Sequence, residues 1–134
     1  KENGVYGCQQ RLFYAVGPGS VFSTVRDLYR FWKTLMSDEI MERKWRELMW
    51  SDVIPLARKN HFYGYGWQIE YEGPLRKVGH AGTMEGFGNL LRFYPREEIF
   101  VCLLSNAGYR FSQDKRGICA DAMYRAIAGE QVKT

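Results

Sequence analysis

Twice along this chain the spacing of apolar residues changes, and those changes constrain the fold more tightly than any single motif. Val25, Leu28, Phe31, Trp32 and Leu35 recur at helical spacing and predict a helix with one apolar stripe. From Tyr65 the period drops to two. Tyr65, Trp67, Ile69 and Tyr71 alternate with Gly66, Gln68, Glu70 and Glu72, the pattern of a half-buried strand. Beyond Ser112 the helical pattern returns. Helices, then strands, then a helix is the order of an α+β domain rather than of repeated βαβ units.

The boundaries can be read from local chemistry. Residues 1–19 mix Gly, Gln, aromatics and Pro18 without a period and read as an irregular or partly extended arm, closed by the break Gly17-Pro18-Gly19. Thr24 and Asp27 have the spacing of a capping box at the start of the first helix. A second amphipathic segment runs from about Asp38 to Trp50, its stripe carried by Ile40, Met41, Lys44, Trp45, Leu48 and Met49. After Pro55 comes a polar loop with Arg58, Lys59, Asn60 and His61, the last expected to be a surface imidazole. Gly73-Pro74 turns the chain into a return strand over Leu75 to Ala81. Two more strands are expected over Gly86 to Tyr94 and Glu98 to Asn106. The last of these is apolar on both faces and so is predicted to be central. Ser112 to Ala128 closes the chain as a helix with Ile118, Ala122, Met123 and Ile127 facing inward. The expected architecture is a single domain over 1–134, a four-strand antiparallel meander with two N-terminal helices and a C-terminal helix packed on it.

Within the meander, Val78 to Asn89 holds four glycines in ten residues, with His80 among them. Glycine serves where backbone bends or where something approaches closely, so a cluster at a strand end marks either a kinked hairpin or a site. His80 is the side chain there that can change charge near neutral pH. An ordinary polar His on a glycine-kinked hairpin is the alternative.

Composition excludes more than it assigns. With 46% hydrophobic and 25% charged residues the chain has the make-up of a globular protein. No apolar run is long enough to span a bilayer. Nineteen basic residues against fifteen acidic give a formal charge of +4, scattered and without a nucleic-acid motif, so no nucleic-acid partner is expected. Cys8, Cys102 and Cys119 are odd in number and form no CxxC pair, which argues against a disulfide framework and a zinc site. Neither a metal nor an organic cofactor is expected. Lys1 is not an initiator Met, so a leader and the compartment stay open.

Four short runs occur in a telling order: Gly19 to Leu28, Tyr65-Gly66-Trp67, His80-Ala81-Gly82 with Gly86-Phe87-Gly88, and Leu103-Leu104-Ser105-Asn106. In these the chain resembles the C-terminal portion of the serine β-lactamase-like hydrolases, which include class C β-lactamases, D-alanyl-D-alanine carboxypeptidases and esterases. The resemblance covers Gly17 to Gly129. It implies that His80-Ala81-Gly82 is the family's third motif, on a strand forming one wall of the cleft. By that analogy His80 orients a catalytic tyrosine and substrate, and the backbone N–H of Thr83 supplies half of an oxyanion hole. Ala81, Gly82 and Asn106 would line the substrate. Ala81 stands where a β-lactamase has Thr, which favours an esterase or peptidase branch. The family's Tyr-x-Asn is missing from this sequence, and the sole Ser-x-x-Lys, Ser112 to Lys115, is placed to cap the last helix rather than to attack a carbonyl. The resemblance therefore implies a partial serine-hydrolase domain, inactive alone, that meets a peptide or small-molecule substrate only when joined to the missing part. The alternative is a non-catalytic binding or self-associating module on the same scaffold.

Overall fold

The computed structural model describes Gly19, residues 21–84 and residues 86–129. The expected arm, apart from Gly19, lies outside the described residues, as does Cys8. The elements follow in the order α1 (Val25–Met36), α2 (Arg43–Met49), β1 (Ile54–Pro55), β2 (His61–Tyr63), β3 (Gln68–Glu72), β4 (Leu75–Met84), β5 (Phe87–Tyr94), β6 (Ile99–Leu103), a 3₁₀ turn (Gly108–Arg110) and α3 (Gln113–Ile127). All strands are antiparallel neighbours in sequence order, a single six-stranded meander.

Among the described residues the sheet thus has six strands where four were expected. The extra two are β1 and β2, which flank the stretch read as a polar loop, β2 starting at His61. With two and three residues they are too short to display a period, and only their pairing with β3 makes them strands. α2 is likewise shorter than the expected Asp38 to Trp50, because Asp38 takes a left-handed φ of 64° and cannot begin a helix.

Helices cover both faces of the sheet. On one face Trp32 and Leu35 of α1 pack with Trp50, Val78 and Phe93, and Trp67 and Phe100 lean on the same cluster. Trp32 is the centre of this cluster, 4.0 Å from the Phe93 ring and 5.1 Å, nearly parallel, from Phe100. On the other face Ala120 and Tyr124 of α3 pack with Leu90, Tyr94 and Val101. The stripes are narrower than sequence spacing suggested. Val25 and Phe31 of α1, and Ile40, Trp45 and Leu48 around α2, are exposed.

α3 differs most from expectation. Ile118, Ala122, Met123 and Ile127 face outward, and the helix packs through Arg116, Ala120 and Tyr124. Its inward partners are charged: Asp121 accepts from Lys77 Nζ at 2.9 Å, Arg92 Nη1 at 2.9 Å and the Tyr94 hydroxyl at 2.7 Å. Hydrophobicity alone therefore picks the wrong face. Among the described residues β6 is the last strand of the sheet, where a central place was expected.

Candidate active-site wall

The antiparallel ladder fixes where each backbone group of the His80 motif points. Gly88 N–H donates to Ser105 O at 2.9 Å, so Gly88 turns its polar groups toward β6. Its partner on β4 is Thr83. In an antiparallel pair the N–H and C=O of one residue point to the same side, so Thr83 directs both away from β5, toward the β3 side. The alternation gives Ala81 the same direction. β3, however, begins at Gln68, paired with Gly79. β4 runs on past the end of its neighbour, so among the described residues no strand pairs with Thr83 on that side.

His80 stands at that end of β4, exposed. Its Nδ1 lies 2.8 Å from Ala81 O, and since a carbonyl only accepts, Nδ1 carries the proton. Nε2 lies 3.0 Å from the Tyr63 hydroxyl, with the two rings edge to face at 5.8 Å. In the neutral ring, Nε2 accepts from the tyrosine O–H. A groove of about 420 Å³ opens from His80 along β2 to β4 toward α3, with Arg58, His61, Gln68, Gln113 and Ile118 among its walls.

The far side of β4 is held rigidly. Arg116 of α3 is fully buried, donating through Nη2 to Thr83 Oγ1 at 2.7 Å and through Nη1 to Phe111 O at 2.7 Å. Gly88 makes room for it, because a Cβ there would run into Arg116 Nη1 and approach Gly108 O to 2.8 Å. Gly82 is the opposite case: a Cβ at that position would meet nothing within 4 Å.

Of the expected site residues, His80, the Ala81 carbonyl and the Thr83 N–H come together at one strand end. Gly82 borders open space between them. The Ala81 methyl packs against the α3-side cluster instead. Asn106 is exposed in the loop after β6, at the same end of the sheet. His61 is only half-buried and belongs to β2, with Nδ1 2.8 Å from Lys59 O and Nε2 3.6 Å from Glu70. Cys102 is half-buried, and burial raises its thiol pKa, the state of a small core hydrophobe; Cys119 is exposed. Ser112 is the N-cap of α3, accepting from Lys115 N–H at 3.4 Å. Tyr63 and Arg116 escape a reading of sequence. Tyr63 lies in a strand too short to recognise, although it sits two residues before Tyr65-Gly66-Trp67. Arg116 looks like one more solvated helix charge.

Comparison with known proteins decides the family. The Beta-lactamase family model matches residues 3–122. The chain belongs to the β-lactamase family. Penicillin-binding protein 4* of Bacillus subtilis (strain 168) is 29% identical over 91 residues, which is 67% of this chain and 20% of that protein. The crystal structure of a penicillin binding protein from Bacillus halodurans superposes with a TM-score of 0.65 at 20% identity, over 75% of this chain and 30% of the other. That likeness shows the fold. This β-lactamase-family chain thus spans about a fifth of one relative and under a third of the other. Among its described residues no helix is long and apolar enough to cross a membrane.

Proposed function

We propose that this chain is one wall of the acyl-transfer cleft of a serine hydrolase of the penicillin-binding kind, and that it holds no nucleophile itself. The observation that carries this reading is the overrun of β4 past β3: the Thr83 N–H turns to the β3 side, where no strand among the described residues pairs with it, beside His80. A backbone N–H held in place before the reaction is the donor an oxyanion needs, because it stabilises developing charge without reorganising. His80, its proton fixed on Nδ1, offers Nε2 to a hydroxyl, now that of Tyr63. A serine or tyrosine hydroxyl brought by another segment would exchange for it. The reaction in the assembled cleft is attack of a serine on a peptide, lactam or ester carbonyl through an acyl-enzyme.

Ser112, the serine of the lone Ser-x-x-Lys, is engaged as a helix cap and is not placed beside His80 by any contact. The folded chain incubated with a fluorophosphonate, and separately with a penicillin, is therefore expected to keep its mass. A stoichiometric adduct on any serine overturns the reading. Joined to a nucleophile-bearing segment, the protein should acylate, and His80→Ala should then slow acylation by about 10²–10⁴, the usual worth of a positioned proton-transfer group.

A further inference from the structure

Three cations lie between α3 and the sheet, and they are not treated alike. Lys77 meets Asp121, Glu72 and Glu70, and Arg92 meets Asp121 and Glu70, so both of these charges are answered by carboxylates. Arg116 is fully buried and meets no carboxylate among the described residues. Its Nη2 donates to the Thr83 hydroxyl and its Nη1 to Phe111 O, both neutral acceptors, while its Nε has no partner. With no exposed surface, the side chain leaves no path for a carboxylate brought by another segment. Asp114, the acidic residue in the first turn of α3, is exposed, and Asp121 is bound to Lys77, Arg92 and Tyr94. The helix end adds to the charge instead of offsetting it, since a helix N-terminus is the positive pole. Burial lowers the Arg116 pKa, yet a guanidinium stays protonated in a protein.

A buried cation with neutral partners costs stability, and this one stands directly behind the strand end that carries the Thr83 N–H. We infer that Arg116 is a positioning residue for that N–H, holding Thr83 through its hydroxyl and setting a positive potential that favours an anion forming in front of the strand. The inference rests on the proposed cleft and adds to it a second source of oxyanion stabilisation, a fixed charge behind the fixed donor. Covalent geometry keeps a threonine Oγ1 within about 3.7 Å of its own backbone nitrogen. With Nη2 2.7 Å from Oγ1, the charge is no more than about 6.5 Å from the donor. At that range a unit charge in a medium between protein and water in polarity shifts a rate or an equilibrium roughly tenfold.

Hydroxide-catalysed hydrogen exchange reads this potential in the chain by itself. Removal of the amide proton leaves a negative charge on the Thr83 peptide group, which a nearby cation favours. In residue-resolved NMR exchange at mildly alkaline pH, Thr83 should exchange about tenfold more slowly in Arg116→Gln, which keeps a donor and loses the charge, and in Arg116→Met. Arg116→Lys should stay close to the original rate. A purely structural role predicts the opposite sign, because loosening the strand speeds exchange. Protected amides of α1, on the far face of the sheet, report that each variant is folded. Equal Thr83 rates in the neutral and charged variants, or faster exchange in the neutral ones, overturn the inference. Unfolding of both neutral variants does the same, since Arg116 is then a structural residue alone. In the chain joined to a nucleophile-bearing segment, Arg116→Gln should lower kcat for acylation about tenfold with KM nearly constant, and an unchanged kcat overturns the inference. Slowed exchange with no acylation by any variant supports the charge at Thr83 and overturns the cleft instead.

Discussion

The two faces of the sheet hold their helices by different chemistry. Under α1 lies an aromatic cluster of Trp32, Trp50, Trp67, Phe93 and Phe100, with the buried Arg46 at its border, 6.0 Å from the Trp50 ring and donating to Leu35 O at 2.7 Å. Under α3, beside a smaller apolar cluster, Lys77 is only 2% exposed and bonds Asp121 at 2.9 Å and Glu72 at 2.7 Å, while Arg92 joins Asp121 and Glu70. Apolar burial tolerates small errors of position, whereas a buried ion network must be complete to avoid an uncompensated charge. The charged face therefore fixes the register of α3, and with it Arg116 and the Thr83 end of β4. Apolar burial is the larger favourable contribution to folding, so the aromatic face is expected to supply more of the stability.

The largest test of this contrast is Trp32→Ala, which removes the ring shared by Trp50, Phe93 and Phe100. It should cost about 3–5 kcal/mol in urea unfolding. Asp121→Asn comes next, at about 3 kcal/mol, because it removes the nearer of the two carboxylates that Lys77 and Arg92 share, leaving Glu70 at 3.5 and 3.2 Å. If the two losses came out in the reverse order, the charged face would be the principal anchor.

Acid and alkali separate the faces without mutation. Burial works against the charge of Asp121, but bonds from Lys77 and Tyr94 and the Arg92 charge outweigh it and hold the carboxyl below its ordinary value. A depressed folded pKa gives stability that is present above the unfolded value, about 3.9, and is lost as pH falls through the folded one. Burial also opposes the charge of Lys77, and bonds to Asp121 and Glu72 overcome it, so its pKa is raised. That contribution is complete below about pH 10.4 and fades as pH rises through the folded value. Burial and the bond to Asp121 raise Tyr94 as well, keeping it a donor on the alkaline side. Unfolding free energy should thus be flat near neutrality and fall at both extremes. Asp121→Asn should flatten the acid limb, and an acid limb unchanged in that variant would show that other carboxylates carry it.

These two chemistries also explain what the sequence made legible. The period-two run through Ile69 and the helical run through Trp32 declare the aromatic face, because burial there follows hydrophobicity. α3 does not, since its packed face is Arg116, Ala120, Asp121 and Tyr124 while Ile118, Met123 and Ile127 look outward. A pattern that scores apolar residues as buried must fail where buried charges are paired. The same limit hid Arg116 from the site. β1 and β2 were hidden by length, and Tyr63 with them. His80, Gly82 and Thr83 stood out through their glycines, yet the direction of the Thr83 N–H is set by the ladder to β5 and β6, and its lack of a paired strand by where β3 stops.

Smaller effects sharpen the comparison at the ends of β4 and of the helices. Gly88→Ala should cost about 1–3 kcal/mol, since the new methyl displaces Arg116 from its place against Thr83. Gly82→Ala, facing open space, should stay within about 0.5 kcal/mol. The caps are weaker still. Thr24 accepts from Asp27 N–H at 3.2 Å and donates its hydroxyl to the Asp27 carboxylate at 2.9 Å, so the carboxylate does not reach back to the backbone as in a full capping box. Ser112 accepts from Lys115 N–H at a longer 3.4 Å. Thr24→Ala should cost about 1 kcal/mol and Ser112→Ala about 0.5 kcal/mol, the range for exposed caps. Ser112→Ala tests more than stability. α3 is anchored by Arg116 and Asp121 further along, so a frayed first turn should leave the Lys77 network in place. A loss well above 1 kcal/mol would mean that the cap, and not the ion network, sets the position of α3.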